Sequence, residues 1–137
     1  MFFTLVKSQN FSLVQQNSIR VIVNNDTLIN PWTGGFNSAQ ISKIDLNNDQ
    51  IEDLFVFDRS SDKVITFISE NNNFIYAPEY ERLFPPDLKN WVLLRDFNND
   101  GKKDIFSYVS GGIGLWENTS NGNEPVSYTH LTLPTTD

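Results

Sequence analysis

The string Asp45-Leu46-Asn47-Asn48-Asp49-Gln50-Ile51-Glu52-Asp53-Leu54-Phe55 returns as Asp96-Phe97-Asn98-Asn99-Asp100-Gly101-Lys102-Lys103-Asp104-Ile105-Phe106, a constant 51 residues later. A chain with such an internal repeat folds as an array of like units rather than around one unrepeated core. Each copy sets Asp, Asn, Asp and Asp at positions 1, 3, 5 and 9 of a nine-residue loop. This alternate spacing lets a tight loop aim several hard oxygen donors at one centre, and the donor type suits calcium.

Charge points the same way. Loop 1 carries Asp45, Asp49, Glu52 and Asp53 with no basic residue, so four negative charges within nine residues must be neutralised or held apart. Loop 2 sets Asp96, Asp100 and Asp104 against Lys102 and Lys103, a local charge of −1. Two divalent ions would bring the formal charge of the chain from −7 to −3.

The residues after position 9 separate the loop types that open in this way. An EF-hand needs a bidentate Glu at position 12 and a helix on each side. Position 12 is Val56 in one copy and Ser107 in the other, and neither supplies a carboxylate. Leu54-Phe55-Val56-Phe57 and Ile105-Phe106-Ser107-Tyr108-Val109 are aromatic and β-branched, as strands are.

The order strand, nine-residue Asp/Asn loop, strand resembles the FG-GAP and VCBS-type repeats of integrin-α-like β-propellers and of secreted bacterial proteins, over residues 36 to 120. The resemblance implies calcium held by side chains at positions 1, 3, 5 and 9 and by the carbonyl at position 7. In this sequence these are Asp45, Asn47, Asp49, Ile51 (carbonyl) and Asp53, then Asp96, Asn98, Asp100, Lys102 (carbonyl) and Asp104, for up to two Ca2+. One departure is Gln50 at position 6, where loop 2 has Gly101. If position 6 needs a positive φ, a non-Gly residue there costs about 1–2 kcal/mol. Asn30-Pro31-Trp32-Thr33-Gly34-Gly35-Phe36-Asn37 is also similar to the lead-in of such propellers in Bacteroidetes-type secreted proteins.

Pro and Gly punctuate short apolar runs, aromatic residues reach 13%, and no stretch holds a 3.6-residue period, so the class is all-β. Propeller blades recur every ~40–50 residues and close only after ~4–8 copies, so the expected architecture is a partial, unclosed β-propeller of about two four-stranded blades after a hairpin. The divisions expected are a signal-peptide remnant over 1–9, a hairpin lead-in over 10–35, repeat 1 over 36–85, an incomplete repeat 2 over 86–122 and a non-native tail over 123–137. A propeller segment of this kind needs adjacent blades of the full-length chain as partners.

Repeat 1 is read as strands Ala39–Ile44, Leu54–Asp58, Val64–Ser69 and Asn73–Tyr76, and repeat 2 as Trp91–Arg95, Ile105–Val109 and Gly114–Asn118. Carrying the offset of 51 onward places Val64 opposite Leu115 and Ile65 opposite Trp116. Pro85-Pro86 makes 80–88 an irregular connection. Ser18–Val23 and Thr27–Ile29, around Asn24-Asn25-Asp26, form the preceding hairpin. Phe55, Phe57, Phe106 and Tyr108 are expected in the core, and Trp32, Trp91 and Trp116 in packing roles. Gly111-Gly112-Ile113-Gly114 is a hairpin turn, since a dinucleotide loop needs a strand-to-helix setting.

Both ends have two readings. Met1–Gln9 is the stump of a secretory signal or an ordinary first strand or frayed end, for the basic start and ~7–15 apolar residues of a full signal are missing. Val126-Ser127-Tyr128-Thr129-His130-Leu131-Thr132-Leu133-Pro134-Thr135 resembles one translated frame of a transposon-derived sequencing adapter. The alternative is a native strand, since its residues alternate.

No apolar run nears the ~20 residues of a membrane span. The acidic balance argues against nucleic acid. Zero cysteines exclude disulfides and thiolate chemistry. The leading expectation is a calcium-stabilised, non-enzymatic propeller segment of an exported or cell-surface protein. It would be a scaffold, adhesion or binding module for a protein or glycan ligand. The alternative is a non-catalytic part of a secreted carbohydrate-active enzyme. Glycosidic chemistry needs two carboxylates across a cleft, and Glu79 and Glu81, near the irregular connection, have no evident partner for it. The single histidine, His130, lies in the suspect tail.

Overall fold

The computed structural model describes residues 12–14, 16, 18–121 and 125–131; the expected signal remnant over 1–9 and the outer parts of the tail lie outside them. The fold is all-β, with three antiparallel sheets, and the chain divides into two compact units at Trp32/Thr33.

In the first unit, strands β1 (Ile22–Val23) and β2 (Asp26–Thr27) form the two-stranded sheet. Asn24 and Asn25 both have positive φ, 50° and 69°, the conformation of a type I′ hairpin turn that Asn tolerates. Asp26 therefore belongs to the second strand and not to the turn. Trp32 lies in this unit, 46% exposed, with its indole N–H donating to the Ile19 carbonyl at 2.8 Å. The expected packing role does not hold for it.

The second unit contains two four-stranded sheets. One runs β3 (Ala39–Ile44), β4 (Asp53–Asp58), β5 (Lys63–Glu70), β6 (Asn73–Tyr76) in chain order. The other runs β7 (Val92–Arg95), β8 (Asp104–Val109), β9 (Gly112–Asn118), β10 (Tyr128–Leu131), also in chain order. A 3-10 helix, Pro78–Leu83, and the Pro85-Pro86 segment connect them, as the prolines require.

Register corrects the repeat alignment. Phe55 pairs with Thr66 and Phe106 with Leu115, so Thr66 corresponds to Leu115 and Phe67 to Trp116, an offset of 49 in place of 51. The cause is turn length. Four residues, Arg59 to Asp62, join β4 to β5, whereas Ser110-Gly111 alone joins β8 to β9, with Gly111 at φ 92°. Gly112 and Gly114 belong to β9, and a Cβ on Gly114 would lie 2.6 Å from the Trp116 ring.

Alternation on β4 and β8 sends one face of each sheet into a shared core. Ile44, Phe55, Phe57, Val92, Leu94, Ile105 and Trp116 meet there with Leu46, Phe84, Leu88 and Val126. Val56, Ile65 and Phe67 form a smaller cluster on the other face of the first sheet. The positions equivalent to Phe55 and Phe57 behave differently in the second sheet. Phe106 is half-buried and Tyr108 is 41% exposed, beside exposed Leu93, Phe97 and Ile113. The expectation that Phe106 and Tyr108 are buried core fails because, among the described residues of the second unit, no further strand layer covers this face. Trp91 is half-buried and Trp116 is in the core.

The second sheet has the fourth strand that the expected break near 122 denied it. Tyr128 pairs with Asn118 and Leu131 with Leu115, while Tyr128 packs on Phe84 with ring centroids 5.4 Å apart. Without β10, β9 would present an open row of N–H and C=O groups, which any alternating segment of suitable length satisfies. The pairing therefore arises from the edge and the alternation, whatever the origin of the segment.

Candidate functional site

The two Asp/Asn loops close with the same hydrogen bonds. In loop 1 the Asp45 carboxylate accepts from the N–H of Asp49 (3.1 Å) and Gln50 (2.8 Å), Asn47 Oδ1 from Asp49 N–H (3.2 Å), and Asp49 Oδ1 from Ile51 N–H (2.7 Å). In loop 2 Asp96 accepts from Asp100 (3.2 Å) and Gly101 (3.0 Å), Asn98 from Asp100 (3.1 Å), and Asp100 from Lys102 (2.9 Å). The alternate residues thus fold back on the backbone, as short Asx side chains do in turns.

Position 9 does something the sequence reading missed. Asp53 and Asp104 are fully buried. Asp53 Oδ2 accepts from Leu46 N–H and Oδ1 from Ser69 N–H, both at 2.8 Å. Asp104 repeats this with Phe97 N–H at 2.7 Å and Asn118 N–H at 2.8 Å. Each carboxylate therefore clamps the loop's second residue to the third strand of its sheet. Burial pushes the Asp53 carboxyl above its usual range, the two amide donors pull it down, and the charges of Asp49 and Asp45 push it up again. The signal legible in sequence was the corresponding pair Ser69 and Asn118, hidden by the shift in offset.

Position 6 does require positive φ, 70° at Gln50 and 86° at Gly101, and so does position 4, at Asn48 (64°) and Asn99 (62°). Asn enters this region readily and Gln does not. Gln50→Gly relieves about 1–2 kcal/mol of strain and forfeits about 0.5–1 kcal/mol of chain entropy. Urea unfolding of that variant should show a gain of about 0.5–1 kcal/mol with unchanged slope.

The loops touch each other. Lys103, at position 8 of loop 2, donates from Nζ to the Lys43 carbonyl at 2.6 Å and lies 3.5 Å from Glu52, the position-8 residue of loop 1. Lys43 Nζ stands 2.9 Å from the other Glu52 oxygen and holds that carboxyl below its usual range. Lys102 turns to the Ser120 carbonyl and lies 3.9 Å from Asp100. Counting charges loop by loop was therefore misleading, because Glu52 is neutralised from β3 and from the neighbouring repeat. Asp45, Glu52, Lys102, Lys103 and Asn118 line a cleft of about 180 Å³ between the loops.

All the donors named for a cation are oxygens, and no nitrogen or sulfur ligand intrudes, so the donor chemistry fits calcium. The flanking elements are strands, as the EF-hand exclusion required. Among the described residues no three Asp, Glu, His or Cys side chains are gathered as a metal cluster would be. The hydrogen bonds above give the reason: Asp45 faces its own loop's amides and Asp53 faces inward. No family model matches the chain, and no curated protein or solved structure does either.

No helix among the described residues is long and apolar enough to cross a membrane.

Proposed function

We propose that this chain is a segment of a calcium-stabilised β-propeller repeat array in an exported or cell-surface protein, where it is a non-catalytic scaffold, adhesion or binding module. The observation that carries this reading is the identical closure of two acidic nonapeptides between strands of successive sheets, with the same six hydrogen bonds from five backbone N–H groups in each. The faces of the sheets support it. Leu93, Phe106, Tyr108 and Ile113 occupy the register positions of Ser42, Phe55, Phe57 and Val64, which in the first sheet face the shared core. A further repeat stacked there would bury them in the same manner.

Calcium would be held in loop 1 by Asp45, Asn47, Asp49, the Ile51 carbonyl and Asp53, and in loop 2 by Asp96, Asn98, Asp100, the Lys102 carbonyl and Asp104. It supplies charge neutralisation where carboxylates crowd; the chain's own amides already orient those carboxylates. Ions bound only by the folded chain stabilise it by mass action, about 1.4 kcal/mol per site at tenfold excess over Kd. The melting temperature of the whole chain should therefore rise by several degrees between chelator and millimolar calcium. A transition that does not move with calcium would sink the cation reading.

A further inference from the structure

At the end of β4 away from the Asp/Asn loops lies a second cleft, of about 530 Å³. Its walls come from the β4–β5 turn (Ser61, Asp62) with the start of β5 (Lys63, Val64), and from the connection between the sheets (Glu81 to Leu88). Volumes of this order are those of small-ligand sites. The walls are fixed to one another: Arg59 Nε donates to the Asn90 carbonyl at 2.8 Å, and Asn90 N–H donates to Asp62 Oδ1 at 2.7 Å. The turn is thus held against the connection by bonds that leave the cleft itself unfilled.

One carboxylate oxygen of Glu81, in this cleft, is left without a partner by the fold. That atom, Oε1, is buried and, among the described residues, has no hydrogen-bond donor. Burial pushes this carboxyl above its usual range, against a hydrogen bond from Tyr76 and the charge of Lys63. An acceptor left in this state is costly, and a side-chain turn that brings it to an outside donor removes the cost. Arg82 and Lys63 line the same cleft as exposed donors, and Phe84, Pro85, Pro86 and Leu88 supply an apolar wall. Two acids, Asp62 and Glu81, balance two bases, so no net field selects an ion. What matches an unfilled acceptor, spare donors and an apolar wall without net charge is a molecule whose hydroxyls both give and accept, and whose C–H face is apolar.

We infer that the cleft between the β4–β5 turn and residues 81–88 binds a neutral hexose-type glycan, with Glu81 accepting from one hydroxyl, Arg82 and Lys63 donating to others, and Pro85 and Pro86 against the ring. This deepens the binding-module reading, and it is separable from the cation, because the cleft and the Asp/Asn loops lie at opposite ends of β4.

The test is isothermal titration of the full chain with cellohexaose and mannohexaose up to about 5 mM, in calcium and in chelator, with hexagalacturonate as the anionic comparison. Binding of a neutral hexaose with Kd below about 1 mM is expected, weakened roughly tenfold by Arg82→Ala and by Glu81→Ala with melting temperature held. Silence from both neutral sugars, affinity unchanged in both variants, or tighter binding of hexagalacturonate would each overturn the inference. Silence while calcium still raises the melting temperature would remove the glycan site and leave the repeat-array reading standing.

Discussion

Asp53→Ala and Asp104→Ala should each destabilise the chain by about 2–5 kcal/mol, the cost of orphaning two buried backbone N–H groups at about 1–3 kcal/mol apiece less the carboxylate's own desolvation. Both carboxylates are fully buried, and each accepts from two amides, one in the loop and one in the third strand. Asn is a poor substitute, because one of its two ends is a donor and would face a donor. Asp53→Asn should therefore lose nearly as much as Asp53→Ala. The informative condition is chelator. If position 9 mattered only as a metal ligand, both variants would match the parent once calcium is removed; because the carboxylate is a clamp in its own right, urea midpoints without calcium should still fall. Midpoints equal to the parent's in chelator would show that the clamp is not what holds the loop.

Much of the fold was legible because the sequence advertises it locally. Ala39–Ile44 and Asn73–Tyr76 are found where alternation and turn signals put them, and β4, β5, β7, β8 and β9 differ from their expected bounds by one or two residues, whereas β10 lies beyond the expected break of the second repeat. Asn71 and Asn72, at φ 49° and 62°, form the turn their residue type announces. The hidden part is non-local. The two-residue difference between the turns after β4 and β8 slides the third strands, which concealed the equivalence of Ser69 and Asn118 and with it the clamp. Lys103 looks like loop 2's own counter-ion until folding lays it beside Glu52. The loops illustrate the boundary: the sequence names every oxygen in them, but which oxygens face amides and which remain for a cation depends on the path of the backbone.

Equivalent residues need not carry equivalent energy, and a matched pair of substitutions measures the difference. Phe55 is 1% exposed and packs on Phe84 in the shared core, with ring centroids 4.7 Å apart and the rings tilted by 45°. Phe55→Ala should cost about 3–5 kcal/mol, since a buried aromatic removed from a packed core leaves both lost burial and a cavity. At this chain length that lowers the melting temperature by about 10 °C or more. Phe106 holds the same register position in the second sheet, where it is half-buried and meets Phe97 edge-on at 6.1 Å between centroids. Phe106→Ala should cost clearly less, about 1–2 kcal/mol, because its side chain keeps much of its contact with water in the folded state. The difference comes from what lies over the face and not from the residue. In a longer chain that continues the array, a sheet laid over Leu93, Phe106 and Ile113 should raise the cost of Phe106→Ala toward that of Phe55→Ala. Differential scanning calorimetry of the two variants, in this chain and in one extended by a further repeat, measures both costs. A Phe106 cost that stays low after extension would mean that nothing stacks on this face, and the repeat-array reading would fail at that point.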